Sequence, residues 1–319
     1  MTTHDVPASR LLGVPKEIVH ESARTLRHAR TSLLDFAGSF PNPVPAGSTA
    51  AVDEGWVSAS DHRQRAARRR LLSWGTWSTS VVLGNAADHV LAMERALVGE
   101  PVSVWPLVSL SRVVMEGCVR ISYLHEGEVS SEARAARIAA AWLGSIQQHL
   151  TASREFQPDV TLPKAEAAWR QAERTVTGAG ATLGLDNKGR PNRVLLNGVT
   201  CNLELNLVDA VRKRAAHPPA WYRISSAASH SISWMLQQAV ELSPEGQLSM
   251  HADPDIITAA TIAVLGAFGD TTETLGSYYS HPKTRDAVRT VQRRTVAVVN
   301  RQHRWRKQME ADVQALTGG

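Results

Sequence analysis

Val102-Ser-Val-Trp-Pro-Leu-Val-Ser-Leu-Ser-Arg112-Val-Val-Met-Glu116-Gly-Cys118-Val-Arg-Ile-Ser-Tyr123-Leu124 is a mostly apolar stretch with no sustained alternation of apolar and polar positions. Its length and patterning predict a helix with apolar residues on both flanks, not a strand. Arg112 and Glu116 are four apart and share one face of that helix. Tyr123 falls two turns beyond Glu116, on nearly the same side. An ion pair set among apolar residues is costly to bury unless further hydrogen bonds satisfy it. These three residues are therefore the first candidates for a functional role.

The flanking segments carry helical patterns too. Helices are predicted over 16–36, from a cap at Ser60-Asp61 to about Trp74, over 78–98, 130–156 and 163–175, and over 203–215 and 221–240. Asp253-Pro254 supplies an N-cap followed by proline at the first helical position, opening a helix over 255–279. Ser280-His281-Pro282 begins a last one that runs to about Leu316. No strand-like alternation persists, and no solenoid repeat is present. The expected fold is all-α: a multi-helix bundle of about nine or ten helices with no sheet of consequence. Residues 1–14 read as a flexible tail and 15–319 as a single helical domain, with loops near 38–59 and 178–200.

Of the 319 residues, 43% are apolar and 20% charged, enough for a core and unlike a disordered chain. Nine tryptophans against four phenylalanines and four tyrosines make indole rings the main aromatic packing groups. Two distant cysteines, Cys118 and Cys201, suit a reducing compartment, and a cytoplasmic location is expected. There is no signal-peptide pattern, and no apolar run approaches the ~20 residues of a membrane span, so no membrane partner is expected. The net charge of +5 is clustered. Arg63, Arg65, Arg68, Arg69 and Arg70 form one basic group; Arg293, Arg294, Arg301, Arg304, Arg306 and Lys307 form another. Such clusters can bind a phosphate backbone, although a solvated helix face is the commoner use.

Familiar catalytic motifs are missing. Gly178, Gly180 and Gly184 have the wrong spacing, and the wrong preceding element, for a dinucleotide fingerprint. No Walker sequence, zinc-helix spacing or nucleophile elbow is present. No metal site and no cofactor are expected.

A second segment complements the first. Trp221-Tyr222-Arg223-Ile224-Ser225-Ser226-Ala227-Ala228-Ser229-His230-Ser231-Ile232-Ser233-Trp234 places Arg223, Ser226, His230 and Trp234 at helical spacings of three, four and four. They form one stripe, with Tyr222 beside it. The small Ala227 and Ala228 allow a close approach.

Together the two segments resemble a class of actinobacterial helical proteins whose signature is an Arg-x3-Glu helix and, far downstream, an aromatic-Arg-x2-Ser-x3-His helix. More distantly they resemble the HEPN-like helical superfamily and its abortive-infection relatives. The resemblance covers roughly residues 85–126 and 220–236. Arg223 and His230 fit the upper limit of the HEPN Arg-to-His spacing, while Ile224 replaces the polar residue usual after that arginine. The resemblance implies a metal-independent RNA-cleaving or toxin/defence-type protein, with catalytic His230, Arg223 and Glu116. Arg112, Tyr123, Tyr222, Ser226 and Trp234 would bind substrate. An imidazole titrates near neutral pH and can relay the proton of a ribose 2′-hydroxyl. A planar guanidinium suits phosphate, and the basic clusters would add affinity for RNA. A homodimer is implied as well.

Two alternatives stand beside this expectation. In one, Arg112, Glu116 and His230 form a buried polar network in a non-catalytic interaction or regulatory protein. In the other, a small-molecule pocket lies between helices, lined by Trp105, Trp142, Trp221 or Trp234.

Overall fold

A computed structural model describes residues 16–99, 102–214, 219–232, 240–242, 248–250 and 253–317. The expected tail at 1–14 and Trp234 lie outside the described residues. Ten helices occur among the described residues: α1 (Lys16–Ala37), α2 (Thr49–Ser58), α3 (His62–Val98), α4 (Val104–Leu124), α5 (Ser131–Glu155), α6 (Pro158–Gly178), α7 (Leu207–Arg214), α8 (Pro219–Ser229), α9 (Pro254–Tyr278) and α10 (Thr284–Thr317). The strands are β1 (Thr182–Leu185), β2 (Pro191–Leu196), β3 (Val199–Asn202), β4 (Val240–Leu242) and β5 (Leu248–Met250). The all-α class and the helix number are as expected.

Helix ends follow ordinary capping chemistry. The side chains of Ser48, Asp61 and Ser130 each accept a backbone N–H three residues on, opening α2, α3 and α5. Asp253 caps α9 through the N–H of Asp255 at 2.7 Å, so this acidic pair serves a helix terminus.

Several boundaries differ from expectation. The segments 62–74 and 78–98 are one helix of 37 residues. Gly75, at the expected break, continues it because Ile138 of α5 packs onto the missing side chain; a Cβ there would meet Ile138 Cδ1 at 2.8 Å. The expected loop at 38–59 contains α2, nucleated by its Ser48 cap. Helix α6 starts at Pro158, not near 163, and carries Pro163 inside it.

The expected loop at 178–200 holds the antiparallel sheet β1-β2-β3. Asn197 and Gly198 both have positive φ, +47° and +81°, between the paired residues Leu196 and Val199. That is the geometry of a two-residue hairpin turn, and Asn-Gly is its strongest sequence signal. In the β1–β2 turn the Asp186 carboxylate accepts the N–H groups of Lys188 and Arg190 at 2.8 and 2.9 Å.

Helix α8 stops at Ser229 and does not run to 240. Ser231 takes φ +54°, its N–H donates to Ala228 O at 3.1 Å, and the N–H of Ile232 donates to Ala227 O at 2.9 Å. This is a Schellman stop, with serine in the place glycine usually takes.

Helix α3 links two cores. At 1.5 Å per residue it is roughly 55 Å long. Its C-terminal half contributes Val90 and Met93 to a core shared with Leu26 of α1, Val108 and Met115 of α4, and Val264 and Phe268 of α9. Its N-terminal half contributes Leu71 to a second core, with Ala135, Ala139 and Leu143 of α5, Val176 of α6, and Val194 and Leu196 of β2. Each large side chain fully buried here contributes about 1.5–3 kcal/mol.

A polar knot crosses the fold. Arg134 (2% exposed) donates through Nε and Nη2 to both oxygens of Asp53 (1%), at 2.9 and 2.7 Å. Tyr278 donates to the same carboxylate at 2.9 Å, and Arg134 also donates to Glu126 O at 3.0 Å and to Val129 O. The knot ties α2, α5 and α9 together with its donors and acceptors matched, as a buried ion pair must be to be tolerated. Tyr278, Tyr279 and His281 form an aromatic cluster at the junction of α9 and α10, with Tyr278 edge-on to His125 at 4.7 Å. Tyr279 stacks on Phe40 at 4.5 Å, and His281 meets Phe36 edge-on at 4.7 Å.

Candidate functional site

Helices α4 and α8 bring the two singled-out segments together. Arg112 Nε donates to Glu116 Oε1 at 2.8 Å, the (i, i+4) pair expected from spacing. The hydroxyl of Tyr222 donates to the same carboxylate oxygen at 2.9 Å. Arg112 Nη1 then reaches across to α8, 3.2 Å from Ser226 Oγ and 3.4 Å from His230 Nε2. The guanidinium also lies 5.3 Å from the centre of the Tyr222 ring. Trp221 Nε1 donates to Ser111 Oγ at 3.3 Å and fixes the start of α8 on α4.

Arg112 and Glu116 are partly buried, at 20% and 22% side-chain exposure. Tyr222 is buried, and His230 is exposed at the helix stop. The group is therefore half-sunk, with one open side. Burial works against the Arg112 charge, but the hydrogen bond and charge of Glu116 outweigh it and hold the guanidinium above its ordinary range. Burial, reinforced by Glu116, pushes the Tyr222 phenol up. An arginine has only donors to offer. Its contact with His230 is a hydrogen bond only when Nε2 carries a lone pair, that is, with the ring neutral and its proton on Nδ1.

The structure thus assembles Glu116, Arg112, Tyr222, Ser226 and His230, all named from sequence. Arg223 stands apart. It is exposed, with no hydrogen bond to the group, although it shares a side of α8 with His230. Seven residues at 1.5 Å place it roughly 10 Å back along the axis. Arg112 occupies the position beside the imidazole that spacing on one helix had suggested for Arg223.

Tyr123 belongs elsewhere. It lines a cleft of about 410 Å³ between α3, α4, α5 and the segment after β3, and this cleft includes neither Glu116 nor His230. Of the tryptophans expected to line a pocket, Trp142 stacks on Trp74, and Trp105 and Trp221 pack against the first core. The tryptophans on the cleft wall are Trp74 and Trp77.

The basic clusters are partly structural. Arg68 is buried over the Trp56 ring at 3.9 Å, and Arg65 donates to Ser58 O and Ser60 O. Arg306 is paired with Asp255. Arg63, Arg69, Arg70, Arg293 and Arg304 remain exposed.

No helix among the described residues is long and apolar enough to cross a membrane. No group of three or more His, Cys, Asp or Glu side chains among them could hold a metal ion. Both cysteines are buried free thiols. Comparison of the chain with protein-family models, curated proteins and solved structures returns no match.

Proposed function

We propose that this chain cleaves RNA, with His230 as the proton-transfer group and Arg112 as the phosphate-binding cation. The observation that carries this is the 3.4 Å approach of Arg112 Nη1 to His230 Nε2 on the open side of a guanidinium fixed from behind by Glu116. A phosphodiester entering from solvent would replace Ser226 and His230 as the acceptors of Arg112. That exchange frees the Nε2 lone pair beside the bound phosphate, where it can take the proton of the adjacent ribose 2′-hydroxyl. The 2′-oxygen then bonds to phosphorus, and the 5′-oxygen leaves and takes a proton from water. Arg112 stabilises the charge that builds on the non-bridging oxygens. The products are a 2′,3′-cyclic phosphate and a 5′-hydroxyl, and His230 returns its proton to solvent. Glu116 and Tyr222 are positioning residues that keep the guanidinium aimed. Arg223, exposed on the His230 side of α8, is suited to a neighbouring phosphate. Arg112, Glu116, Tyr222, Ser226 and His230 come together within one chain.

The test is incubation of single-stranded RNA with the wild-type protein and with His230→Ala at equal concentration. Cleavage by the wild type, reduced about 10²–10⁴-fold in the variant, supports the proposal. Cleavage by neither, or equal cleavage by both, removes it.

A second reading is favoured by one specific observation: Arg112 already has partners on both helices. The group would then be a polar latch fixing α8 on α4 in a non-catalytic regulatory protein. Arg112→Ala would lower the melting temperature while no substrate turned over.

A further inference from the structure

The cleft of about 410 Å³ is a separate feature, since its walls include no residue of the Arg112–His230 group. Its volume falls within the roughly 300–1,000 Å³ of small-molecule sites. Gly144 creates its floor. A Cβ on Gly144 would stand 2.3 Å from Leu203 O, so only glycine lets the backbone after β3 lie directly on α5. That contact brings Asn202 to the cleft, which Gln148 of α5 also lines.

Two kinds of surface meet there. One is flat and aromatic. Trp74 is held by stacking on Trp142 at 5.4 Å and 12°. Tyr123 is held by the Arg137 guanidinium, 4.4 Å from its ring centre. Trp77, 61% exposed, stands one turn along α3 from Trp74. The other surface is polar. Arg120, Gln148 and Asn202 all line the cleft, all are exposed, and none of their side chains hydrogen-bonds to another described residue. Arg137 differs, since Glu126 Oε2 and Tyr123 O already occupy its Nη1.

A ligand matched to this lining is planar, carries donors and acceptors on its edge, and bears an anionic group. Aromatic faces take a π-system by stacking. Carboxamides offer a donor and an acceptor side by side and can pair with either edge pattern of a heterocycle. An uncommitted guanidinium takes a phosphate. The geometry points to a nucleotide-binding cleft, in which a nucleobase stacks against Trp74, Trp77 and Tyr123, Gln148 and Asn202 read its edge, and Arg120 holds its phosphate. The nucleotide is either free or the unpaired base of a single strand.

The experiment is titration of the full chain, followed by tryptophan fluorescence and calorimetry. The probes are adenosine and uridine 5′-monophosphates, adenosine, ribose 5-phosphate and a short single-stranded DNA that cannot be cleaved through a 2′-hydroxyl. Saturable quenching by a monophosphate, weakened roughly tenfold or more when either base or phosphate is missing, is expected for a free nucleotide. Saturable quenching by the oligonucleotide alone assigns the cleft to a strand. In both cases Trp77→Ala and Arg120→Ala, two exposed positions, should weaken binding by a similar factor and keep the wild-type melting temperature. Arg69→Ala, exposed and outside both the cleft and the Arg112–His230 group, should bind as the wild type does, which makes the loss specific to the cleft. The proposal is overturned if neither the monophosphates nor the oligonucleotide saturates, if ribose 5-phosphate binds as well as the monophosphates, or if both cleft variants bind like the wild type.

Discussion

Arg112 and His230 are 118 positions apart in sequence, yet the guanidinium Nη1 of one stands 3.4 Å from the imidazole Nε2 of the other. Glu116 and Tyr222 hold that guanidinium from the protein side, and Ser226 meets it beside the histidine. One planar, forked cation thus serves three acceptors on two helices. A lysine carries its charge on a single ammonium and cannot reproduce the fork. Arg112→Lys should therefore lose about 10²–10³-fold in RNA turnover while keeping net charge, the scale expected for removing one transition-state stabiliser. Turnover within a factor of two of wild type would mean that charge alone is needed at this position.

The Arg134–Asp53–Tyr278 knot should dominate the response to mutation far from this group. Asp53→Ala leaves a guanidinium that is 2% exposed without its carboxylate. A loss of about 3–5 kcal/mol in unfolding free energy is expected. Chemical denaturation measures it directly, and a loss under 1 kcal/mol would show that the knot contributes little.

Acid stability should report on His125. This residue ends α4 at 3% exposure, with Nε2 2.8 Å from Thr79 Oγ1 and no partner for Nδ1. Burial, against the pull of Asp53 and with help from Arg134, pushes its imidazole from 6.5 down to about 4. The unfolded chain therefore takes up this proton at higher pH than the folded chain. The group's contribution is complete above about pH 6.5 and is lost as pH falls toward 4, in total about 3 kcal/mol. Melting temperatures recorded across that window should fall less steeply in His125→Gln than in the wild type. An unchanged slope would assign the acid sensitivity to other groups.

Gly144→Ala should be costly for its size. Its new methyl meets a backbone carbonyl at 2.3 Å, which no rotamer change relieves. About 1–3 kcal/mol of destabilisation is expected, together with displacement of the segment after β3. Gly75→Ala should cost less, because the atom it meets is the end of the flexible Ile138 side chain. Equal melting temperatures for the two variants would contradict this ranking.

The thiols should resist labelling in the native chain. Burial pushes Cys118 up to about 12, and Cys201, buried beside the Tyr123 hydroxyl at 3.9 Å, is also raised. A thiolate is the reactive form. Neither should react with a disulfide reagent at neutral pH until denaturant is added. Rapid native labelling of Cys118 would indicate opening of the core between α4 and α9.

Much of the helical architecture could be read from apolar periodicity and caps, as Asp61 and Asp253 show. Breaks were harder to place. Gly75 resembles a helix break until Ile138 is known to pack on it, and Ser231 resembles a helix interior until its positive φ is seen. The small sheet had one clear local signal, Asn197-Gly198, hidden within a Gly- and Asn-rich stretch that looked like loop. Of the candidate group, the (i, i+4) pair Arg112–Glu116 follows from spacing alone. The choice between Arg112 and Arg223 as the partner of His230 does not, because spacing on one helix cannot show what a second helix brings to it. Asp53, Arg134 and Tyr278 form their knot from three distant elements, and no local pattern marks any of them.

The measurement closest to the central claim uses a defined oligoribonucleotide and its twin carrying a single 2′-deoxy residue at the observed cut. Both are incubated with the purified protein in the presence of a metal chelator. Transfer of the 2′-hydroxyl proton to His230 beside an Arg112-bound phosphate predicts a 2′,3′-cyclic phosphate end on the first and no cut at that position on the second, with the cyclic product formed about 10²–10⁴-fold more slowly by His230→Ala. Cleavage of the deoxy twin at the same bond, or cleavage by His230→Ala at the wild-type rate, would contradict it.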